Sequence, residues 1–183
     1  MIEKELQSVV EAQRAFFGTG VTLDVGWRIR QLKRLRRGVV AYEKEFERAL
    51  REDLGRSEVE GYLCDVIPTV IEIDEIIRGL RRWTRTERHY SGMMCFPSVV
   101  TKVYKMPYGV TLLISPFNFP ILLTLGVLAA SISGGNTAVL KTSSKSRACC
   151  GAEEVYRRDV SARVCHAGGG GTRRGGHAAG DAV

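Results

Sequence analysis

The chain has 183 residues, 44% of them hydrophobic and 26% charged, which is ordinary for a soluble globular protein and enough for one domain with a real core. Its net charge of +7 favours acidic partners or the phosphates of a dinucleotide, yet no recognition-helix or aromatic RNA-binding motif accompanies it, so nucleic acid is not an expected partner. Five cysteines (Cys64, Cys95, Cys149, Cys150, Cys165) form no C-x-x-C pair and no disulfide framework, and they match no zinc pattern.

Met1-Ile2-Glu3-Lys4-Glu5 opens directly into an amphipathic pattern, without the features of a signal peptide. The longest nearly unbroken apolar run, Ile121 to Ile132, is too short to span a bilayer. The expectation is a reduced, cytoplasmic protein without a membrane segment.

Ile2, Leu6, Val9, Val10, Phe16 and Phe17 recur at helical spacing, and Gly18-Thr19-Gly20 ends this first helix. A second, longer helix is predicted from about Leu23 to Leu54, with the inward stripe Leu32, Leu35, Val39, Tyr42, Phe46 and Leu50. Its basic cluster, Arg28, Arg30, Lys33, Arg34, Arg36 and Arg37, reads as a solvated face. Ser57 followed by Glu60 matches a capping box for a third helix, striped by Val59, Leu63, Val66, Val70, Ile77, Leu80 and Trp83. Pro68 should kink or split it near Ile67. Residues 84 to 98 lack periodicity and read as a loop, with His89 a surface histidine. Val99 to Met106 alternates like a strand.

From Pro107 to Ser146 the chain reads strand, loop, helix, strand. Val110 to Ile114 is an apolar run of the kind that is buried on both faces of a sheet. Ser115-Pro116-Phe117-Asn118-Phe119-Pro120 breaks it, and Pro120 suits the first turn of a helix. That helix runs from about Ile121 to Ser133 and stops at Gly134-Gly135-Asn136; Thr137 to Leu140 is the next strand. So compact a unit implies a right-handed crossover between parallel strands, hence an α/β fold. Ligands of such sheets bind beyond the carboxyl ends of the strands, where Asn118 and Lys141 lie. Asn118 there either closes a turn between prolines or does chemistry. Gly134-Gly135 is not a dinucleotide fingerprint, because it follows a helix.

The ordered motifs P-Y-G-V, I-S-P-F-N-F-P, A-A-S-I-S-G-G-N-T-A-V-L-K and T-S-S resemble the front half of the aldehyde dehydrogenase cofactor domain. The long helices before them suggest the class 3 or fatty-aldehyde-like branch. The likeness spans roughly residues 1 to 160, well under half of a complete family member. It implies N-terminal helices (1–98), a dimerisation-type strand (99–106) and a truncated, Rossmann-like NAD(P)-binding unit (107–150). It also implies an aldehyde substrate, NAD or NADP as cofactor and a homodimer in the parent enzyme. Asn118 matches the asparagine that donates its amide to the oxyanion formed when a thiolate attacks the aldehyde. Lys141 matches the lysine that holds the adenosine ribose, and Ile114, Ser115, Pro116 and Phe117 would line the cofactor groove. Ser144 stands where the family more commonly has an acidic residue.

Residues 151 to 183 depart from this pattern. They hold eight of the 20 glycines and no Leu, Ile, Phe, Met, Trp, Lys or Pro, a composition that cannot bury enough apolar surface to fold. Glu153-Glu154-Val155-Tyr156 still resembles the family's next helix, after which the likeness ends. A frameshift near residues 152 to 158 is the expectation, with a disordered tail. The family's E-L-G-G base motif and nucleophilic cysteine do not occur, so the chain itself is expected to be inactive. Cys149-Cys150 reads as helix packing, and Cys165-His166 with His177 does not make a metal site. The alternatives are a non-catalytic dimerisation fragment or a basic polyanion binder, and neither explains the ordered motifs at 107–146.

Overall fold

In the computed structural model, α1 runs over Ile2–Gly18 and a short turn, Val21–Leu23, leads to Asp24. Asp24 is the N-cap of α2 (Val25–Ala41): its carboxylate accepts the N–H groups of Gly26 at 3.0 Å and Trp27 at 2.8 Å. The model describes residues 2–90, 100–143, 146, 151, 152 and 155. Ser144, four of the five cysteines, His166, His177 and the tail beyond 155 lie outside these residues, and so do the expectations placed on them.

The single helix expected over 23–54 is two helices. The chain leaves helical geometry at Tyr42 (φ −97°, ψ 10°), and α3 occupies Glu43–Leu54. Gly38-Val39-Val40, a weak helix-forming run, precedes the bend. The two halves also have different partners: α2 packs on the helices that run over Ile67–Trp83 and Val127–Ser133, α3 on the short one at Glu58–Gly61. The basic face needs a correction as well. Arg28 is only 6% exposed. Its guanidinium donates to the carbonyls of Thr22 (2.6 Å), Leu23 (3.2 Å) and Ser133 (3.1 Å), which ties α2 to the end of the helix Val127–Ser133.

Ser57 caps α4 (Glu58–Gly61) as expected, its hydroxyl accepting from Glu60 N–H at 3.2 Å. A widened π-type turn, Tyr62–Val66, separates α4 from α5 (Ile67–Trp83). Pro68 lies in the first turn of α5, where its missing N–H costs little. The extra residue in the turn shifts the helical phase. The buried line is therefore Asp65, Thr69, Ile73, Ile76 and Leu80, while Val59 and Leu63, placed on the inward stripe by spacing alone, are exposed. Trp83, at the end of α5, is exposed too.

The expected loop at 84–98 contains a strand, β1 (Glu87–Tyr90), antiparallel to β2 (Val100–Val103) with Glu87 opposite Val103. All eight residues are exposed. With no buried face there is no apolar alternation to read.

β3 (Val110–Ile114) and β4 (Thr137–Lys141) are parallel neighbours in register, Val110 opposite Thr137 and Ile114 opposite Lys141. Between them come a π-type turn, Leu122–Gly126, and α6 (Val127–Ser133). β4 is buried up to Leu140, but β3 is not buried on both faces: Leu112 is 61% and Ile114 67% exposed. α1 packs on β4 and β3, and α6 packs on both strands as well. Leu32, Leu35, Phe46, Ile73, Leu125 and Leu140 belong to one core, which the helices share with the strand–helix–strand unit. Ala152 and Val155 are also buried in that core.

Gly135 closes α6 at φ 84°, and Asn136 then joins the amino ends of the strands. Its Oδ1 accepts Gly109 N–H at 3.0 Å and its Nδ2 donates to Ser131 O at 3.3 Å. A Cβ on Gly135 would press into the buried Arg28 guanidinium. Gly135→Ala should cost about 2–4 kcal/mol, combining left-handed strain with overpacking. Urea denaturation checks it; a change under ~0.5 kcal/mol, the scale of an ordinary surface substitution, would show that the turn relaxes freely.

Candidate functional site

The loop from Ser115 to Pro120 leaves the carboxyl end of β3 and is fixed at both ends. At its start, Ser115 N–H donates to Lys141 O at 3.0 Å, which continues the parallel ladder by one bond. The Ser115 hydroxyl is buried and accepts from Thr124 Oγ1 at 2.8 Å, tying the loop to the helix it precedes. At its far end, Pro120 is buried, and Ile121 and Leu122 donate their N–H groups to Asp65 Oδ1 at 3.3 and 3.1 Å. These are first-turn N–H groups that have no partner within a helix, so the carboxylate acts as a cap supplied from another element.

Asp65 is fully buried and forms an ion pair with Arg56, whose side chain is 13% exposed. Burial pushes the Asp65 carboxyl above its ordinary range; the Leu122 N–H, Arg56 and the Ile121 N–H pull the other way. The Arg56 guanidinium serves two further groups. Its Nη2 donates to the carbonyl of Asn118 at 2.9 Å, and its Cζ lies over the Phe119 ring, 4.6 Å from the ring centre.

Asn118 is exposed at the crest of this loop. Its backbone is held by Arg56, and among the described residues no group bonds its side-chain amide. Lys141 ends β4 beside Ile114, with its side chain exposed. Ile114, Pro116 and Phe117 are exposed at the same end of the sheet. Six of the seven sequence-predicted site residues thus gather at the carboxyl end of the parallel pair. Ser115 differs from its neighbours in pointing inward, and Ser144 lies outside the described residues.

An exposed apolar surface flanked by a cation and by loop backbone offers contact to a flat ring and hydrogen-bonding partners beside it. A groove of about 610 Å³ between α1 and β3, lined by Leu6, Val10, Phe17, Tyr108 and Leu112, opens at the amino half of β3 and is a separate feature.

Arg56 and Asp65 went unnoticed in the sequence. Arg56 sits in a short link after Gly55, and Asp65 falls one place off the expected stripe. The signal was there for Asp65: counting back from Ile73 in steps of four gives Thr69 and Asp65, the line that is buried.

Residues 2–155 match the family model described as the aldehyde dehydrogenase family. The 4,4'-diaponeurosporen-aldehyde dehydrogenase of Staphylococcus aureus is 39% identical over 132 residues, a match covering 71% of this chain and 28% of that protein. The Dictyostelium discoideum protein named aldehyde dehydrogenase family 3 comG is 34% identical over 143 residues, covering 78% of this chain and 29% of the relative. Among solved structures, substrate-bound AldH of Staphylococcus aureus superposes with a TM-score of 0.79 at 31% identity, covering 89% of this chain and 36% of that one. GapN of Methanocaldococcus jannaschii, with a TM-score of 0.72 at 19% identity, covers 89% of this chain and 35% of that one and shares the fold. The chain spans under a third of the length of the two curated relatives.

Proposed function

The chain belongs to the aldehyde dehydrogenase family, and on that premise we propose that it is the front part of an enzyme that oxidises aldehydes to carboxylic acids with NAD or NADP. Asn118 is the oxyanion donor: when a thiolate adds to the aldehyde carbon, the carbonyl oxygen becomes an alkoxide, and the Asn118 amide donates to it. The observation that carries this reading is the Asn118 loop itself, braced at both ends at the carboxyl end of a parallel sheet, with its amide unbonded by any described residue. Lys141, Ile114, Pro116 and Phe117, with Ser144, form the adenosine-side surface, and Ser115 sets the loop's start. The bound dinucleotide supplies the hydride acceptor.

The rest of the chemistry needs a nucleophilic thiolate and a base that activates the deacylating water. The family's E-L-G-G base motif is absent from these residues, and Cys149-Cys150 lies only a few positions after Lys141. The chain by itself is therefore inactive, and its Gly/Arg/Ala tail is a frameshifted replacement of the native continuation. The parent works as a cytoplasmic homodimer in which the exposed β1–β2 ribbon serves the interface. No helix among the described residues is long and apolar enough to cross a membrane.

The test joins residues 1–146 to the downstream part of the Staphylococcus aureus relative. Reduced-cofactor absorbance is then followed with medium-chain and aromatic aldehydes. The chimera should turn over and the unmodified chain should not. Turnover by the unmodified chain that disappears in Asn118→Ala would overturn the inactivity and show that another cysteine had been recruited.

Ser144 sets the cofactor range. A carboxylate near the ribose repels a 2′-phosphate, and a serine removes that repulsion. A dog relative is named as dimeric and NADP-preferring. In the chimera, Ser144→Glu should weaken NADP use by about tenfold or more, worth ~1.4 kcal/mol, while NAD use changes little. Equal effects on both cofactors would mean that Ser144 does not face the ribose.

A further inference from the structure

We propose that Arg56 and Asp65 are positioning residues for Asn118, a two-part brace that sets where its amide points; this rests on the oxyanion role proposed above. Asp65, from the π-type turn before α5, fixes the segment after Asn118 by accepting the N–H groups of Ile121 and Leu122. Arg56, from the link before α4, fixes Asn118 itself: one nitrogen pairs with Asp65 and another donates to the Asn118 carbonyl at 2.9 Å. The intervening Phe119 has the same guanidinium over its ring, with Cζ 4.6 Å from the ring centre. Three consecutive parts of the loop, Asn118, Phe119 and the Ile121–Leu122 turn, are therefore bound to one buried ion pair.

The fork of the guanidinium is what the arrangement requires. An arginine presents several N–H groups in a rigid plane, so it can bond a carboxylate and a carbonyl while its charge sits over a ring. A lysine keeps the charge and can pair with Asp65, but a single ammonium does not reproduce the flat, two-ended contact. An oxyanion donor is effective only where its N–H already points at the position the charge will occupy. Loss of the carbonyl tether frees the peptide on which the Asn118 side chain is carried, without removing any apolar core residue.

These features make Arg56→Lys the informative variant. In ¹H–¹⁵N spectra of the full chain, it should shift or broaden the Asn118 side-chain amide pair and the Asn118 and Phe119 backbone signals. Core resonances should stay in place, and amide exchange at Ile121 and Leu122 should remain within twofold, because Asp65 still caps the turn. Asp65→Asn is the companion, keeping one acceptor oxygen but losing the ion pair. It should raise exchange at Ile121 and Leu122 tenfold or more and disturb Asn118 as well. Wild-type Asn118 signals in Arg56→Lys would overturn the proposal. So would shifts spread evenly through the core, which mark a merely structural arginine. The oxyanion reading fails separately: if Asn118→Ala leaves turnover of the chimera unchanged, that role is lost whatever the spectra of Arg56→Lys show.

Discussion

Asn118→Ala in the chimera should lower kcat by about 100- to 1000-fold while KM for the aldehyde changes little, the loss found when one oxyanion-hole donor is removed. The asymmetry between kcat and KM follows from where the charge appears. The ground-state aldehyde oxygen is neutral, so an amide aimed at it adds little to binding. Once the thiolate has added, the oxygen carries a full negative charge, and the same amide is worth about 3–4 kcal/mol. Asn118→Asp is the sharper companion, since it replaces a donor with an ionised acceptor of equal size. It should be at least as slow as the alanine variant, because a carboxylate repels the developing alkoxide. Equal losses in kcat and in affinity would point instead to ordinary substrate contact. An unchanged kcat would remove Asn118 from the chemistry.

The strand–helix–strand part of the fold was legible because its signals are local. Pro120 and Gly135 punctuate the helix, the apolar runs on either side are short, and the resulting strands pair in parallel as expected. Asn118 and Lys141 were found for the same reason: one lies in the loop that follows β3 and the other ends β4, and sheet topology then places both at one edge. What the sequence did not disclose depends on partners remote along the chain. Arg28 lies within a basic run and looks like its neighbours. Only the carbonyl of Ser133, brought in by α6, makes it a buried crosslink.

The same reasoning accounts for β1 and β3. Glu87-Arg88-His89-Tyr90 has no buried side and hence no alternation; Lys105, pairing with Glu87 at 2.7 Å, supports the ribbon through a contact that no periodicity reports. Val110 to Ile114 shows the opposite case. Its composition is that of a strand covered on both faces, yet Leu112 and Ile114 are mostly exposed. An apolar run records that a strand is suited to burial, and whether it is buried depends on which neighbours are present.

Asp65→Ala should be the most damaging substitution to the fold, at about 3–5 kcal/mol, the usual loss when one member of a buried ion pair is removed. The cost does not mean that the pair is itself a large source of stability. Its carboxyl lies above the ordinary value of 3.8 because burial outweighs the help of the Leu122 N–H, Arg56 and the Ile121 N–H. Ionising Asp65 is thus harder in the folded chain than in the unfolded one. The sign of the pH dependence follows. Below the ordinary carboxylate range Asp65 is protonated in both states and carries no penalty. As pH rises through the raised folded-state value, the unfolded state has already released its proton and the folded state gives up the stability linked to holding it. Asp65-linked stability should therefore fall with rising pH across that window, and Asp65→Asn should lack this component of the slope. Alanine is worse than asparagine at any pH above the window, because it strands the Arg56 charge and leaves both first-turn N–H groups without an acceptor. Asparagine leaves an oxygen for those N–H groups and should cost about 1–3 kcal/mol less than alanine. Urea denaturation of the three proteins between about pH 3 and pH 7 checks the order and the slope, that interval spanning the ordinary carboxylate range. A wild-type slope indistinguishable from that of Asp65→Asn would show that burial does not control this carboxyl. Equal stability of the alanine and asparagine variants would show that Ile121 and Leu122 do not depend on it.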